Sequence, residues 1–176
     1  MPTTLPYIDD QLASPDLKAQ FDEVSKIMGN VPPLLRILAN VPSFIPAFMD
    51  FAGPVLMGEN LTIDLKCLAL LRVSEINDCN YCRGYYAPLA EQVGLVGERR
   101  DAITKPSVAL NLFNAKETAV LALADEMTRN VQASPATVAS AREALGDGGT
   151  LEVMLTIGLF NLINRVARTS GLPLQS

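Results

Sequence analysis

The strongest constraint on this fold is its helix punctuation: capping residues recur along the chain, and the strict apolar–polar alternation of a half-buried strand is hard to find anywhere. Ser14 followed by Pro15 reads as an N-cap and a first helical position; Leu17, Phe21, Val24 and Met28 follow at helical spacing, and Gly29 stops the run. Asn114 and Glu117 form a capping box for a helix over 115–129, and Ser134 with Pro135 opens another to Leu145. Gly146, Gly148 and Gly149 read as a turn, after which Thr150 caps a last helix from Leu151 to about Thr169, closed by Gly171 and Pro173. Between Val31 and Gly58, Pro32, Pro33, Pro42, Pro46 and Pro54 predict short or kinked helices. Thr62 opens a helix to about Ile76; Asn77 and Asp78 break it and cap the next, from Cys79 to about Val93, kinked at Pro88 and ended by Gly94. A short helix around Glu98 to Ile103 and a loop through Pro106 complete the pattern. With no repeat or linker, the expectation is one all-α domain over residues 1–176.

Composition narrows the chemistry. Of 176 residues 49% are apolar, enough for a sizeable core, and 14 basic against 19 acidic side chains leave a charge of −5. An acidic chain without basic clusters offers no footprint for nucleic acid or anionic lipid. The longest apolar stretches, Cys67 to Leu71 and Val153 to Phe160, fall short of the ~20 residues that span a bilayer. Met-Pro-Thr-Thr-Leu-Pro lacks the basic segment and apolar run of a signal peptide, so the expected location is cytoplasmic. The last helix carries apolar residues at nearly every azimuth, which predicts burial on most sides, in the monomer core or between subunits. There is no histidine. A Ser/His/Asp triad, a Cys/His dyad and a histidine general base are therefore unavailable within this chain.

The sharpest constellation is Asn77-Asp78-Cys79-Asn80-Tyr81-Cys82. Two cysteines three apart at a helix start share a face within reach of a disulfide, and unsatisfied amides plus the helix dipole favour a thiolate there. Lowering a thiol pKa from about 8.5 to about 7 raises its thiolate fraction at neutral pH from roughly 3% to roughly half. Zinc would need a fourth ligand beyond Cys67, Cys79 and Cys82, and covalent haem attachment needs histidine where Arg83 stands. A pair of small buried side chains in a helix contact is the competing reading.

The run Leu71-Arg72-Val73-Ser74-Glu75-Ile76-Asn77-Asp78-Cys79-Asn80-Tyr81-Cys82 resembles the signature of the alkylhydroperoxidase D / carboxymuconolactone decarboxylase family. Leu61-Thr62, the Asn30-Val31-Pro32 to Pro42 segment, Ala124-Asp125-Glu126, Asn161, Asn164-Arg165 and Gly171-Leu172-Pro173-Leu174 extend that similarity over most of the chain. The resemblance implies an all-helical fold assembled into trimers or hexamers, with no metal or flavin. It implies that Cys82 attacks peroxide and becomes sulfenic acid, and that Cys79 donates the proton and resolves the disulfide. An external dithiol or reductase partner would then reduce that disulfide.

Two positions depart from the pattern: Tyr86 stands where the peroxidase branch has histidine, and Cys67 where it has glutamate. A tyrosine with a pKa of about 10 donates a hydrogen bond but accepts a proton poorly at neutral pH. Glu75 and Asp78 are the replacement relay candidates, Arg83 a cation that would favour the thiolate, and Tyr81 and Tyr85 further aromatic neighbours. The expected activity is a thiol-dependent peroxidase or disulfide oxidoreductase acting on hydroperoxides. The alternatives are a non-redox lyase, isomerase or cyclase acting on a small organic substrate in a repurposed pocket, and a noncatalytic ligand-binding oligomer.

Overall fold

A computed structural model describes residues 3–172. The described residues form helices and no strand: α1 Pro15–Met28, α2 Pro33–Leu38, α3 Phe44–Met57, α4 Ile63–Ile76, α5 Asn80–Tyr85, α6 Ala87–Gln92, α7 Gly97–Ala102, α8 Ala115–Asn130 and α9 Pro135–Ser170. A short 3-10 turn, Leu110–Leu112, precedes α8 and carries no sequence signal of its own. The N-caps Ser14, Asn114 and Ser134 each accept the expected backbone N–H, and Asn114 with Glu117 completes the capping box. Gly29 closes α1 at φ 79. Pro173, expected to end the last helix, lies outside the described residues.

Helices α4, α8 and α9 pack on one another and hold the main core, with Leu71, Val73, Val120, Leu121, Ile157 and Phe160 fully buried. A second cluster joins α1 to α2 and α3 through Leu17, Phe21, Leu35 and Ile45. Helix α9 is long and apolar enough to span a bilayer by length and composition, yet 56% of its most apolar window is buried within the fold. Its face bearing Leu151, Leu155 and Leu162 is exposed in the single chain.

Two boundaries differ from the sequence reading. The helix expected from Cys79 to Val93 is two helices with the break at Tyr86. Pro88 has no N–H for a carbonyl one turn back, so it sits in the first turn of a new helix, where that amide is not needed. The expected 146–149 turn is a single residue, Gly146 at φ 71 and ψ 173, and Thr150 lies inside α9, its hydroxyl donating to the Gly146 carbonyl at 2.7 Å. The other two glycines serve close approach: a Cβ at Gly148 would lie 2.9 Å from Asn60 Oδ1, and one at Gly149 3.2 Å from the Asn60 carbonyl.

The same loop is tied down by a buried ion pair. Lys66 Nζ donates to the carbonyls of Leu56 (3.1 Å) and Gly58 (2.6 Å) and lies 2.5 Å from Glu152 Oε1, while Glu152 Oε2 accepts from the Asn60 backbone and side-chain amides. Burial pushes the Glu152 carboxyl up, but the Lys66 and Asn60 hydrogen bonds outweigh it and hold the group below its ordinary range. A Cβ at Gly58 would lie 2.7 Å from Glu152 Oε1. Gly58→Ala is therefore expected to lower unfolding free energy in a urea titration by about 1–3 kcal/mol. An alanine protein as stable as wild type would show that the carboxylate is free to move.

Candidate active site

After α4 the backbone reverses through Asp78 at φ 51, a left-handed conformation that aspartate tolerates. This delivers Cys79, not Asp78, to the N-cap of α5, where its Sγ accepts the Cys82 N–H at 3.4 Å. The expected capping role of Asp78 is corrected accordingly. A cysteine in this position leaves its sulfur among the unpaired amides of a helix start.

Both sulfurs are fully buried and free, with Cys79 Sγ and Cys82 Sγ 2.7 Å apart. The contact with the Cys82 sulfur is the main cause holding Cys79 below the ordinary thiol range; burial opposes it, and the Cys82 amide, Arg168 and Arg83 assist. Cys82 is pushed the other way by the same contact, and burial adds to the effect. These shifts favour the anion on Cys79, whereas the family resemblance implies Cys82 as the attacking sulfur. Cys79 also borders a polar pocket of about 180 Å³, alongside Asp78, Asn80, Tyr81 and Arg168.

Asn164 on α9, fully buried, donates its Nδ2 to Cys82 Sγ at 3.1 Å. Its Oδ1 accepts from Asn77 Nδ2, which also donates to Asn161 Oδ1 at 2.9 Å, and Arg168 donates to the Asn77 carbonyl. Asn161 and Asn164 were legible only as part of the resemblance. Their i, i+3 spacing on a helix otherwise rich in leucine and isoleucine is the signal that places both on one face.

The remaining expected residues divide into two groups. Glu75 pairs with Arg83 at 3.0 Å and Arg100 at 2.9 Å, and Asp78 pairs with Arg83 at 2.9 Å. These charges satisfy one another, so neither carboxylate stands ready as a proton relay. Around the thiols, Tyr81 accepts the Leu34 N–H, and the rings of Tyr81, Tyr85, Tyr86 and Phe160 follow one another with centroids 5.8, 5.0 and 5.1 Å apart. Burial raises the Tyr86 phenol, and the neighbouring Tyr85 and Tyr81 act in the same direction. Tyr86 is therefore a donor at neutral pH and not a base. Cys67 is fully buried, and burial pushes its thiol up to about 12, although Arg100 pulls the other way. Cys67 is therefore a neutral thiol at neutral pH.

No protein-family model matches the chain, and no curated protein matches it. Solved structures do. An uncharacterized peroxidase-related protein from Silicibacter sp. TM1040 superposes with a TM-score of 0.79 at 22% identity over 99% of this chain and 94% of that one. The alkylhydroperoxidase AhpD core of a peroxidase-related protein from Ralstonia eutropha JMP134 gives 0.77 at 21% identity over 100% and 94%. The debrominase Bmp8, also solved as a cysteine-to-alanine variant in complex with 2,3,4-tribromopyrrole, gives 0.78 in its apo form at 17% identity over 100% and 94%. At these identities the likeness is one of fold, and it is the fold the sequence resemblance implies: this chain has the all-helical architecture of alkylhydroperoxidase D-like proteins.

Proposed function

We propose that this protein is a thiol-dependent oxidoreductase whose Cys79–Cys82 pair passes two electrons to a hydroperoxide. The observation that carries the reading is the 2.7 Å contact between two free thiols at the start of α5, one of them capping the helix. The Cys79 thiolate attacks the distal peroxide oxygen; an S–O bond forms, the O–O bond breaks, and the alkoxide leaves as alcohol after taking a proton. Cys82 then attacks the Cys79 sulfenic acid, an S–S bond forms, and hydroxide leaves as water with the Cys82 proton. An external dithiol restores the pair. The neighbouring folds named for peroxidase and debrominase chemistry agree with an enzyme reading at the level of architecture.

Stoichiometric hydroperoxide followed by trapping and peptide mass analysis tests this. A sulfenic acid at Cys79 that converts to a Cys79–Cys82 disulfide is the expected product, with Cys67 unmodified. Thiols that stay reduced would sink the redox proposal. A second reading, transformation of a small uncharged organic molecule in the same place, is favoured by Tyr86 and Cys67 standing as neutral groups at the two relay positions. The implied homo-oligomer would bury the exposed Leu151, Leu155 and Leu162 stripe between copies.

A further inference from the structure

A cavity of about 390 Å³ opens between the end of α1, helix α3 and the tyrosines of the CxxC segment. That volume lies in the range of small-molecule sites, roughly 300–1000 Å³. Its lining residues include no charged side chain. Met28, Met49 and Met57 line it together with Tyr81, Tyr85 and Tyr86, and thioethers and aromatic rings are groups that receive the edge of another ring well. Tyr81 also lines the polar pocket that contains Cys79, so the two pockets share that side chain.

Gly53 is one of the residues that line the cavity. It lies within α3, where glycine is a poor helix former, and a Cβ there would meet nothing within 4 Å beyond its chain neighbours. The residue therefore adds to the cavity's open space at the expense of helix stability. From these features we infer that the cavity binds a compact, uncharged aromatic molecule and presents it to the Cys79–Cys82 pair; the presentation step rests on the redox reading, whereas the binding does not.

The uncharged fluorophore N-phenylnaphthylamine tests the binding on the full chain. Wild type is expected to bind it saturably, one per chain. Gly53→Leu, which fills the space, is expected to weaken binding by about tenfold or more. Leucine gains helix propensity but crowds Pro54, two effects of similar size, so the thermal midpoint should stay close to wild type. Tyr85→Ala should weaken the probe as well, Tyr85→Phe should retain it, and Cys82→Ser should bind as wild type does. If Gly53→Leu does not fold, the two Tyr85 variants decide the matter. Binding indifferent to Gly53→Leu or Tyr85→Ala overturns the inference, as does equal affinity for the sulfonated anilinonaphthalene probe. Probe release as protein concentration rises overturns it too, since a second copy would then occupy the cavity. Inert thiols with a probe that behaves as described would remove the redox reading and leave the site; oxidisable thiols with an indifferent probe would do the opposite.

Discussion

Serine at Cys79 is expected to slow consumption of hydroperoxide by about three orders of magnitude or more, the usual scale for loss of a nucleophile. Serine at Cys82 should stop turnover while leaving one equivalent of oxidation at Cys79. The asymmetry follows the proposed roles: Cys79 accepts the Cys82 amide and is lowered by its contact with the Cys82 sulfur and by Arg168 and Arg83, whereas Cys82 is driven toward its neutral form. A lowered pKa keeps the thiolate present as pH falls, so the alkylation rate at Cys79 should remain high below the pH at which an ordinary thiol, pKa about 8.5, loses reactivity. Cys82→Ala removes the contact that lowers Cys79 most and should move the midpoint of that pH profile upward. Cys82→Ser retains a donor and should move it less. Asn164→Leu leaves Cys79's donors in place and should shift the Cys79 midpoint little. Sulfenic acid trapped at Cys82 in a Cys79→Ser protein, at the wild-type rate, would reverse the two roles.

How much of this was readable beforehand differs by residue and for physical reasons. Caps are local, so Ser14, Asn114, Glu117 and Ser134 announced their helices correctly. Close approach is not local. The Gly148–Gly149 pair reads as a turn until Asn60, almost ninety residues away in sequence, is seen lying against it. The CxxC pair was legible from spacing, but the cap on α5 went to the sulfur because Asp78 takes the left-handed conformation and points its carboxylate at Arg83. Glu75 and Asp78 qualified as relays by proximity in sequence; their saturation by Arg83, Arg100 and Arg168 depends on α7 and α9. Likewise the donor to Cys82, Asn164, arrives from a helix that sequence alone could not dock. What the motif did announce, without revealing its purpose, was Arg72 within the signature and Asp125 within a later helix.

Those two residues carry the largest stability effect expected in the molecule. The Arg72 side chain is 1% exposed, and its five N–H groups are all engaged: Nε and one Nη2 hydrogen on Asp125, Nη1 on the carbonyls of Ile103 and Lys105, and the second Nη2 hydrogen on Pro106. The pair therefore joins α4 to α8 and also pins the loop after α7. Asp125→Ala strips the guanidinium of its counter-ion inside the fold and is expected to cost about 3–5 kcal/mol, a large part of the ~5–15 kcal/mol that holds a domain together. At roughly 2–4 °C per kcal/mol for a domain of this size, the melting temperature should fall by about 6–20 °C. Arg129 reaches the same carboxylate at 3.1 Å from a half-exposed position, so Arg129→Ala should cost under about 1 kcal/mol. Replacing both partners with apolar residues, Arg72→Met with Asp125→Leu, should recover part of the single-variant loss, because no unpaired charge remains buried, while the Ile103 and Lys105 carbonyls lose their donor and Pro106 keeps Arg129. A double variant no more stable than Asp125→Ala would assign the cost to those carbonyls and the loop they anchor, and not to the ion pair.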